Sequence, residues 1–436
     1  MAVAERCPSS LRRSPTVAPG KRRLLGFLGP GLITGASDDD PSGIATYAQA
    51  GAQFGYAISW TMLFTYPLMT AVQEISARIG RTTGRGIAGN MRRHYPPWLL
   101  QSLVILLCAA NTINLGADLG AMGDALSLLI GGPRLLYVFL FSALCAGLQI
   151  YMQYTRYVSV LKWLCLALFA YFGTVMVVHV PWGEVAWGLF LPTFSPDGAF
   201  WTMVVAILGT TISPYLFFWQ ASQEAEDIKA VPERKPLLRR PGQALGAFGR
   251  IRLDTYVGMA FSNLVALAII VTTAATLRAA GVTNIETSTQ AADALKPVAG
   301  SFAFTVFTLG IVGTGLLSVP VLAGSAAYAL SETHKWPIGL DRDLLEAKAF
   351  YAAVALATLV GALINSSPIN PIKALYWSAV INGVAAVPVM AIMMLMTSNR
   401  NVMGKFTING PLRIIGWMAT VTMAAAVVGM ALTATW

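Results

Sequence analysis

Charge is what this chain of 436 residues has least of. Asp, Glu, Lys and Arg together make up 11% of it, against roughly 25% in ordinary soluble domains. That leaves too few ionisable side chains to coat a water-facing surface. Histidine occurs three times, as His94, His179 and His334. All three lie near expected helix ends or in a loop, so no His/Cys zinc or copper centre can be assembled. The four cysteines, Cys7, Cys108, Cys145 and Cys165, have no paired spacing. Three fall in apolar stretches, where a small buried hydrophobe is the expected role rather than a disulfide or metal ligand. The first apolar run leads into acids without a small-residue cleavage site, so it is not expected to be a removable leader.

Hydrophobic residues fill the gap at 56% of the chain. Uncharged stretches recur at about the 20 residues a bilayer-spanning helix needs. They include Leu135–Thr155, Trp163–Gly183, Thr255–Leu277, Ala349–Ile372, Ala374–Asn399 and Ile414–Trp436. Pro297–Ser331 and segments near 56–77, 97–117 and 198–223 extend the series. With the run that starts at Leu24, eleven segments are expected. The fold class is thus an all-α polytopic membrane protein with eleven transmembrane helices. With a cytoplasmic amino terminus and alternating segments, 26 of the 30 Lys and Arg fall on the cytoplasmic side. Only Arg134, Arg278, Lys296 and Lys373 fall outside. This positive-inside asymmetry places the carboxyl terminus outside. It also explains the net charge of +10 without nucleic acid, since no loop is long enough to build a basic folded face. The expected organisation is a basic cytoplasmic tail at 1–23, helices one to six over 24–225, a cytoplasmic loop at 226–251 and helices seven to eleven over 252–436.

Two segments are interrupted. The first carries SDDDPSG, Ser37 to Gly43, between two apolar halves too short to span alone. Pro41 lacks an N–H and disfavours a helical predecessor, so unwinding is expected around Asp39–Gly43. The sixth carries Pro214 within TTISPYLFFWQ. Segments one and six open two five-helix halves, and paired breaks at such positions point to an inverted-repeat transporter with its site between them. Ionisable groups inside a membrane are costly and mark pathways. Asp38, Asp39 and Asp40 would repel one another unless a cation or water intervened. Carboxylate, carbonyl and water suit Mg²⁺, Mn²⁺ and Ca²⁺. Asp40, Asp39 and Asp38 are therefore candidate metal ligands, with Ser37, Gly43, Thr210 and Ser213 supplying carbonyls or a hydroxyl. The metal is expected as cargo and no cofactor is expected.

GPGLITGASDDDPSGIATYAQAGAQFGYAISW with QEISARIGRTTGRGIA, GTTISPYLFFWQAS and LDTYVGMAFSNLVALAII resemble helices one, two, six and seven of the natural resistance-associated macrophage protein (NRAMP) divalent-metal transporters. The likeness implies an inverted 5+5 repeat of the leucine-transporter kind, a bacterial inner-membrane location and divalent-cation transport. Asp40-Pro41 matches the family's Asp-Pro, but its Gly-Asn is Ser42-Gly43 here. The family's metal-binding methionine is Ser213 and its helix-six histidine is Tyr215. Of its helix-three Asp-x-x-Glu proton route, Asp118 remains, Ala121 replaces the Glu, and Asp124 follows one turn on. These departures resemble the NRAMP-related magnesium branch, which implies Mg²⁺, and also Mn²⁺, moved by alternating access without proton coupling. Asp118, Tyr215, Asp124 and Asn382 are the candidates for the ion or proton path.

Other readings are a proton-coupled Mn²⁺/Fe²⁺ symporter, a Mg²⁺-dependent intramembrane enzyme and an organic-cation or amino-acid carrier. Metal-dependent diphosphate chemistry wants two acid-rich motifs for paired ions, and this chain has one. Glu74 is expected in a structural ion pair. Asn263, and Asn382 in its blander role, are expected in interhelical hydrogen bonds. Glu224, Glu226 and Asp227 are expected as a solvated acidic cluster.

Overall fold

The protein was examined as a computed structural model, which describes residues 34–433 except 36, 152–166, 232, 341 and 343. The expected tail at 1–23 and most of the first half of segment one lie outside the described residues. Every described regular element is helical: α1 Pro41–Phe54, α2 Trp60–Thr83, α3 Ile87–His94, α4 Pro97–Ile130, α5 Arg134–Tyr151, α6 Phe169–Val177, α7 Trp182–Phe190, α8 Gly198–Thr211, α9 Pro214–Ala230, α10 Ala244–Thr273, α11 Ser288–Asp293, α12 Ala303–His334, α13 Lys348–Ile364, α14 Pro371–Ser398 and α15 Pro411–Thr433. Seven helical stretches among the described residues are long and apolar enough to cross a membrane. They stand at the positions of segments three, four, six, seven, eight, ten and eleven. Segments two and nine appear as α2 and the 17-residue α13.

Both interruptions are real, and shorter than expected. Thr34, Gly35, Ser37 and Asp38 are helical, Asp39 bends, and Asp40 is extended at φ −69°, ψ 169°. Helix α1 then starts at Pro41. The unwound stretch is therefore Asp39–Asp40, and Gly43 already sits in the first helical turn. Proline at the first helical position needs no donor, and the Asp40 side chain caps the turn by accepting from the Gly43 N–H at 2.7 Å. In segment six, α8 ends at Thr211, Ser213 is extended at φ −82°, ψ 133°, and Pro214 opens α9.

The packing has the reciprocity of an inverted repeat. Segment one runs alongside α10, with Gly35 against Gly258 and Gly51 against Ile270. Segment six runs alongside α2 in the same sense. Gln73 donates to the Leu216 carbonyl at 3.1 Å, Ser76 to that of Phe217 at 2.5 Å, and Gly80 abuts Ala221. Exchanging segment one with six, and two with seven, maps one pair onto the other. The two broken segments then meet each other antiparallel: Thr34 pairs with Gln220, Tyr215 reaches Ser37, and Thr210 reaches Tyr47. Beside the second break, α8 and α14 approach backbone to backbone, since a Cβ on Gly209 would lie 2.1 Å from the Ala379 carbonyl oxygen. Helix α4, 34 residues long, passes α12, α13 and α14 and outruns its expected end by a further three turns or so.

The loop expected at 226–251 is largely helical, because α9 runs to Ala230 and α10 begins at Ala244. Its remainder is pinned to α2: the Leu237 and Leu238 N–H groups donate to the Arg81 and Thr82 carbonyls, and Arg81 donates to Lys235 and Gln243. The early start of α10 overturns the solvated acidic cluster. Glu224 is fully buried against Arg250 at 2.5 Å, Asp227 pairs with Arg234, and Glu226 accepts from Tyr328 at 2.7 Å. Glu74 does form the expected ion pair, with Arg78 at 2.5 Å. Asn263 makes an interhelical bond to the Met62 carbonyl at 3.0 Å.

Candidate metal-transport site

Between the breaks, Asp38, Asp39, Asp40 and Asp118 are all at most 2% exposed. No Lys, Arg or His among the described residues forms an ion pair with any of them. Buried charge without a partner is among the most expensive things a fold can hold. What surrounds each acid therefore decides what the site can do.

Asp40 is the centre of a polar hub. Its Oδ1 accepts from the Ser42 hydroxyl at 2.6 Å and the Gly43 N–H at 2.7 Å. Its Oδ2 accepts from Asn114 at 3.1 Å and Tyr215 at 3.3 Å. Three donors, with the single Tyr215 proton shared between this carboxylate and the Ser37 carbonyl, hold it between the α1 N-terminus, α4 and the second half of segment six. The hub extends to α14, where Ser378 donates to the Asn114 side-chain oxygen at 2.8 Å. Asn382 lies one turn beyond Ser378 on the same face, buried, and neither its oxygen nor its nitrogen has a hydrogen-bond partner. Its expected interhelical bond is thus not made.

Asp38 and Asp39 share one donor. The Ser262 hydroxyl on α10 lies 2.6 Å from Asp38 Oδ2 and 3.1 Å from Asp39 Oδ1. A hydroxyl carries a single proton, so it serves one carboxylate and leaves the other facing an acceptor. Among the described residues the outer oxygens, Asp38 Oδ1 and Asp39 Oδ2, find no partner, and neither does the Ser37 hydroxyl. On α4, Asp118 Oδ2 accepts from Ser318 at 2.8 Å while its Oδ1 is also unpartnered. Each unpartnered buried polar atom costs about 1–3 kcal/mol, so their concentration here suits a cation that supplies what the protein does not.

Several expected ligands are otherwise engaged. The Ser37 carbonyl accepts from the Tyr215 hydroxyl at 3.1 Å, and the Thr210 carbonyl from Ser213 at 2.7 Å. Ser213 also lies 2.6 Å from the Gly209 carbonyl. Its hydroxyl turns back to satisfy the orphan carbonyls that end α8, instead of reaching forward to an ion. Gly43 offers its N–H to Asp40, and its carbonyl points along α1. The Thr210 hydroxyl bonds Ile207 and Tyr47. Asp124 belongs elsewhere: it is about 9 Å along α4 from Asp118 and accepts from Ser288 on α11. Among the described residues no three His, Cys, Asp or Glu side chains converge on a single point. Asp40 faces α4 and segment six while its two neighbours face α10, so the three consecutive acids do not point to one place.

The residues the sequence did not single out include the donors Asn114, Ser262, Ser318 and Ser378, and Tyr47, whose hydroxyl accepts from Thr210. One signal was available. Asn111, Asn114 and Asp118 recur three and four apart on an otherwise apolar helix and so share a face. The isolated serines carry no such pattern.

The natural resistance-associated macrophage protein-like (Nramp) family model matches residues 31–433. Divalent metal cation transporters MntH of Burkholderia ambifaria and Verminephrobacter eiseniae are 26% and 28% identical to the chain, covering 93% and 94% of it and 88% and 90% of their own lengths. The crystal structure of the Eremococcus coleocola manganese transporter superposes with a TM-score of 0.73 at 17% identity, over 95% of this chain and 88% of that one. Mhp1, a nucleobase-cation-symport-1 transporter, superposes with a TM-score of 0.57 at 14% identity, over 93% of both chains. The paired breaks, the reciprocal packing and the match along nearly the whole sequence agree: the chain belongs to the Nramp family of integral membrane transporters and is not an enzyme.

Proposed function

We propose that this transporter carries divalent metal cations by alternating access, with Mg²⁺ as its main cargo and Mn²⁺ also accepted. Asp40 is the principal anionic ligand. Asp38, Asp39, the Ser37 hydroxyl, Asp118 and Asn382 offer further polar groups along the path of a partly hydrated ion. The observation that carries this reading is the set of buried carboxylates without ion pairs, several with unpartnered oxygens among the described residues, in a site where the second break offers the oxygen groups of Ser213 and Tyr215 in place of the sulfur and imidazole the resemblance implies. Mg²⁺ keeps several waters and binds through few carboxylates. Thioether, which favours softer metals, is absent where Ser213 stands. The membrane potential supplies the driving force: about 100 mV contributes ~4.6 kcal/mol for a divalent ion, enough for a gradient on the order of a thousandfold.

Proton coupling is not part of this reading, because Tyr215 and Ala121 stand where the resemblance implies relay groups. Uptake into liposomes should be driven by an inside-negative potential and should not acidify the lumen. An internal pH dye that reports acidification in step with metal influx would favour the second reading, a proton-coupled Mn²⁺ symporter. That alternative is supported by the buried Asp118 and by what the relatives' names say they carry.

Selectivity should turn on Ser213. Ser213→Met removes the hydroxyl that holds the Gly209 and Thr210 carbonyls and introduces a soft sulfur at a position only 1% exposed. The Mg²⁺ rate is expected to fall several-fold, and Cd²⁺ should compete about tenfold more tightly. Unchanged Mg²⁺ rate together with unchanged Cd²⁺ competition would remove this residue from the account.

A further inference from the structure

A second polar site lies away from the breaks, where α3, α9 and the end of α12 meet. A cavity of about 410 Å³ opens there, lined by Arg85, Arg92, Lys229 and Lys335 together with Glu226 and Glu332. By the distribution of Lys and Arg this is the expected cytoplasmic side. Neighbouring acids on this side are matched to arginines: Glu74 to Arg78, Glu224 to Arg250 and Asp227 to Arg234. In the cavity the balance is reversed.

Glu332 is engaged by the protein at both oxygens, and Glu226 at its Oε2. Glu332 Oε1 accepts from the Gly86 N–H at 2.7 Å and Oε2 from the Gly89 N–H at 2.8 Å. It thereby occupies the N-terminus of α3, the place where a bound anion would otherwise sit. Glu226 accepts from the Tyr328 hydroxyl at 2.7 Å. The cations make no close ion pair, although Lys229, Arg92 and Arg85 lie within the field of the Glu332 carboxylate. Among the described residues Arg85, Lys229 and Lys335 enter no ion pair, and Arg92 donates only to the Glu332 carbonyl. Burial, then the charges of Arg93, Arg92 and Arg239, hold the Arg85 guanidinium below its usual range. Ser222 and Ser331 also line the cavity, at most 2% exposed, and among the described residues their hydroxyls have no hydrogen-bond partner.

We propose that this cavity binds a phosphate group. Guanidinium and ammonium donors converging with hydroxyls are the donor set for a tetrahedral oxyanion, and the volume is in the range of small-ligand sites and far exceeds a chloride ion. The bound group joins Lys229 on α9 to Arg85 beside α3 and Lys335 at the end of α12, and so braces three elements. The phosphate belongs either to an anionic phospholipid headgroup or to a soluble phosphate compound. The inference does not depend on which metal is carried.

The test uses the full chain in a neutral detergent, with radiolabelled inorganic phosphate as probe and the thermal unfolding midpoint as a second readout. Saturating phosphate should raise the midpoint by about 2–4 °C, and chloride at equal ionic strength should not. Arg85→Gln with Lys229→Gln should weaken phosphate binding about a hundredfold, roughly tenfold per charge removed. Lys335→Gln, at an exposed side chain, should weaken it about tenfold and leave the phosphate-free midpoint unchanged. Displacement of the label by phosphatidylglycerol in the micelles identifies the lipid headgroup as the source, and its failure to displace identifies a soluble compound. Wild-type phosphate affinity in Lys335→Gln, an equal rise with chloride, or no binding to the unaltered chain overturns the proposal.

Discussion

Asp40→Asn is expected to reduce transport of every divalent cation by about a hundredfold or more while leaving the protein folded. The two halves of that expectation rest on different atoms. Asparagine keeps an oxygen that can accept from the Ser42 hydroxyl and the Gly43 N–H, so the cap on α1 survives. At the other end an NH₂ replaces the oxygen that accepts from Asn114 and Tyr215. Tyrosine can reverse its hydroxyl to accept, and the remaining mismatch with Asn114 costs about 1–3 kcal/mol. The full negative charge is lost at the point where both broken segments, α4 and α14 are linked. Tracer uptake beside a size-exclusion profile checks the expectation. Near-normal flux in folded Asp40→Asn protein would place the ion elsewhere.

Gly209→Ala should act on the scaffold instead. An added Cβ would meet the Ala379 carbonyl oxygen at 2.1 Å and the Gly383 nitrogen at 2.5 Å. Both are backbone atoms of α14, so neither can swing aside as a flexible side chain would. Overpacking commonly costs about 1–3 kcal/mol, and a contact hemmed by backbone belongs at the upper end. The unfolding midpoint in detergent should drop by about 2–4 °C, with lower yield of folded protein. Gly246→Ala is the control: it is helical with nothing within 4 Å of the added atom, and its midpoint should hold or rise slightly. Equal behaviour of the two variants would mean that the close approach of α8 and α14 does not hold the second break in place.

The breaks themselves were readable because proline and acid are conspicuous in apolar sequence. Pro41 and Pro214 each open a helix, as their chemistry requires. The direction each acid faces was not readable. Three consecutive aspartates suggest a shared site, yet the chain turns at Asp39–Asp40, sending Asp40 to Asn114 and Tyr215 and its neighbours to Ser262. Those partners lie 74 to 224 positions away in sequence, and a lone serine in an apolar run gives no periodic signal. Ser213 was expected to face the ion because only its position at the break was visible. The orphan carbonyls of α8, a few atoms away, claim its hydroxyl first. The acids at 224–227 looked solvated because α10 was placed to begin eight residues later than it does. The earlier start swings Arg250 onto Glu224.

The most direct test of the central claim is Mg²⁺ entry into proteoliposomes that enclose a Mg²⁺ indicator, under an inside-negative potential of about 100 mV and with no proton gradient. The account predicts Mg²⁺ accumulation that follows the imposed potential, is inhibited by external Mn²⁺ and is abolished in Asp40→Asn. Robust Mn²⁺ uptake with no Mg²⁺ entry under the same potential would contradict it.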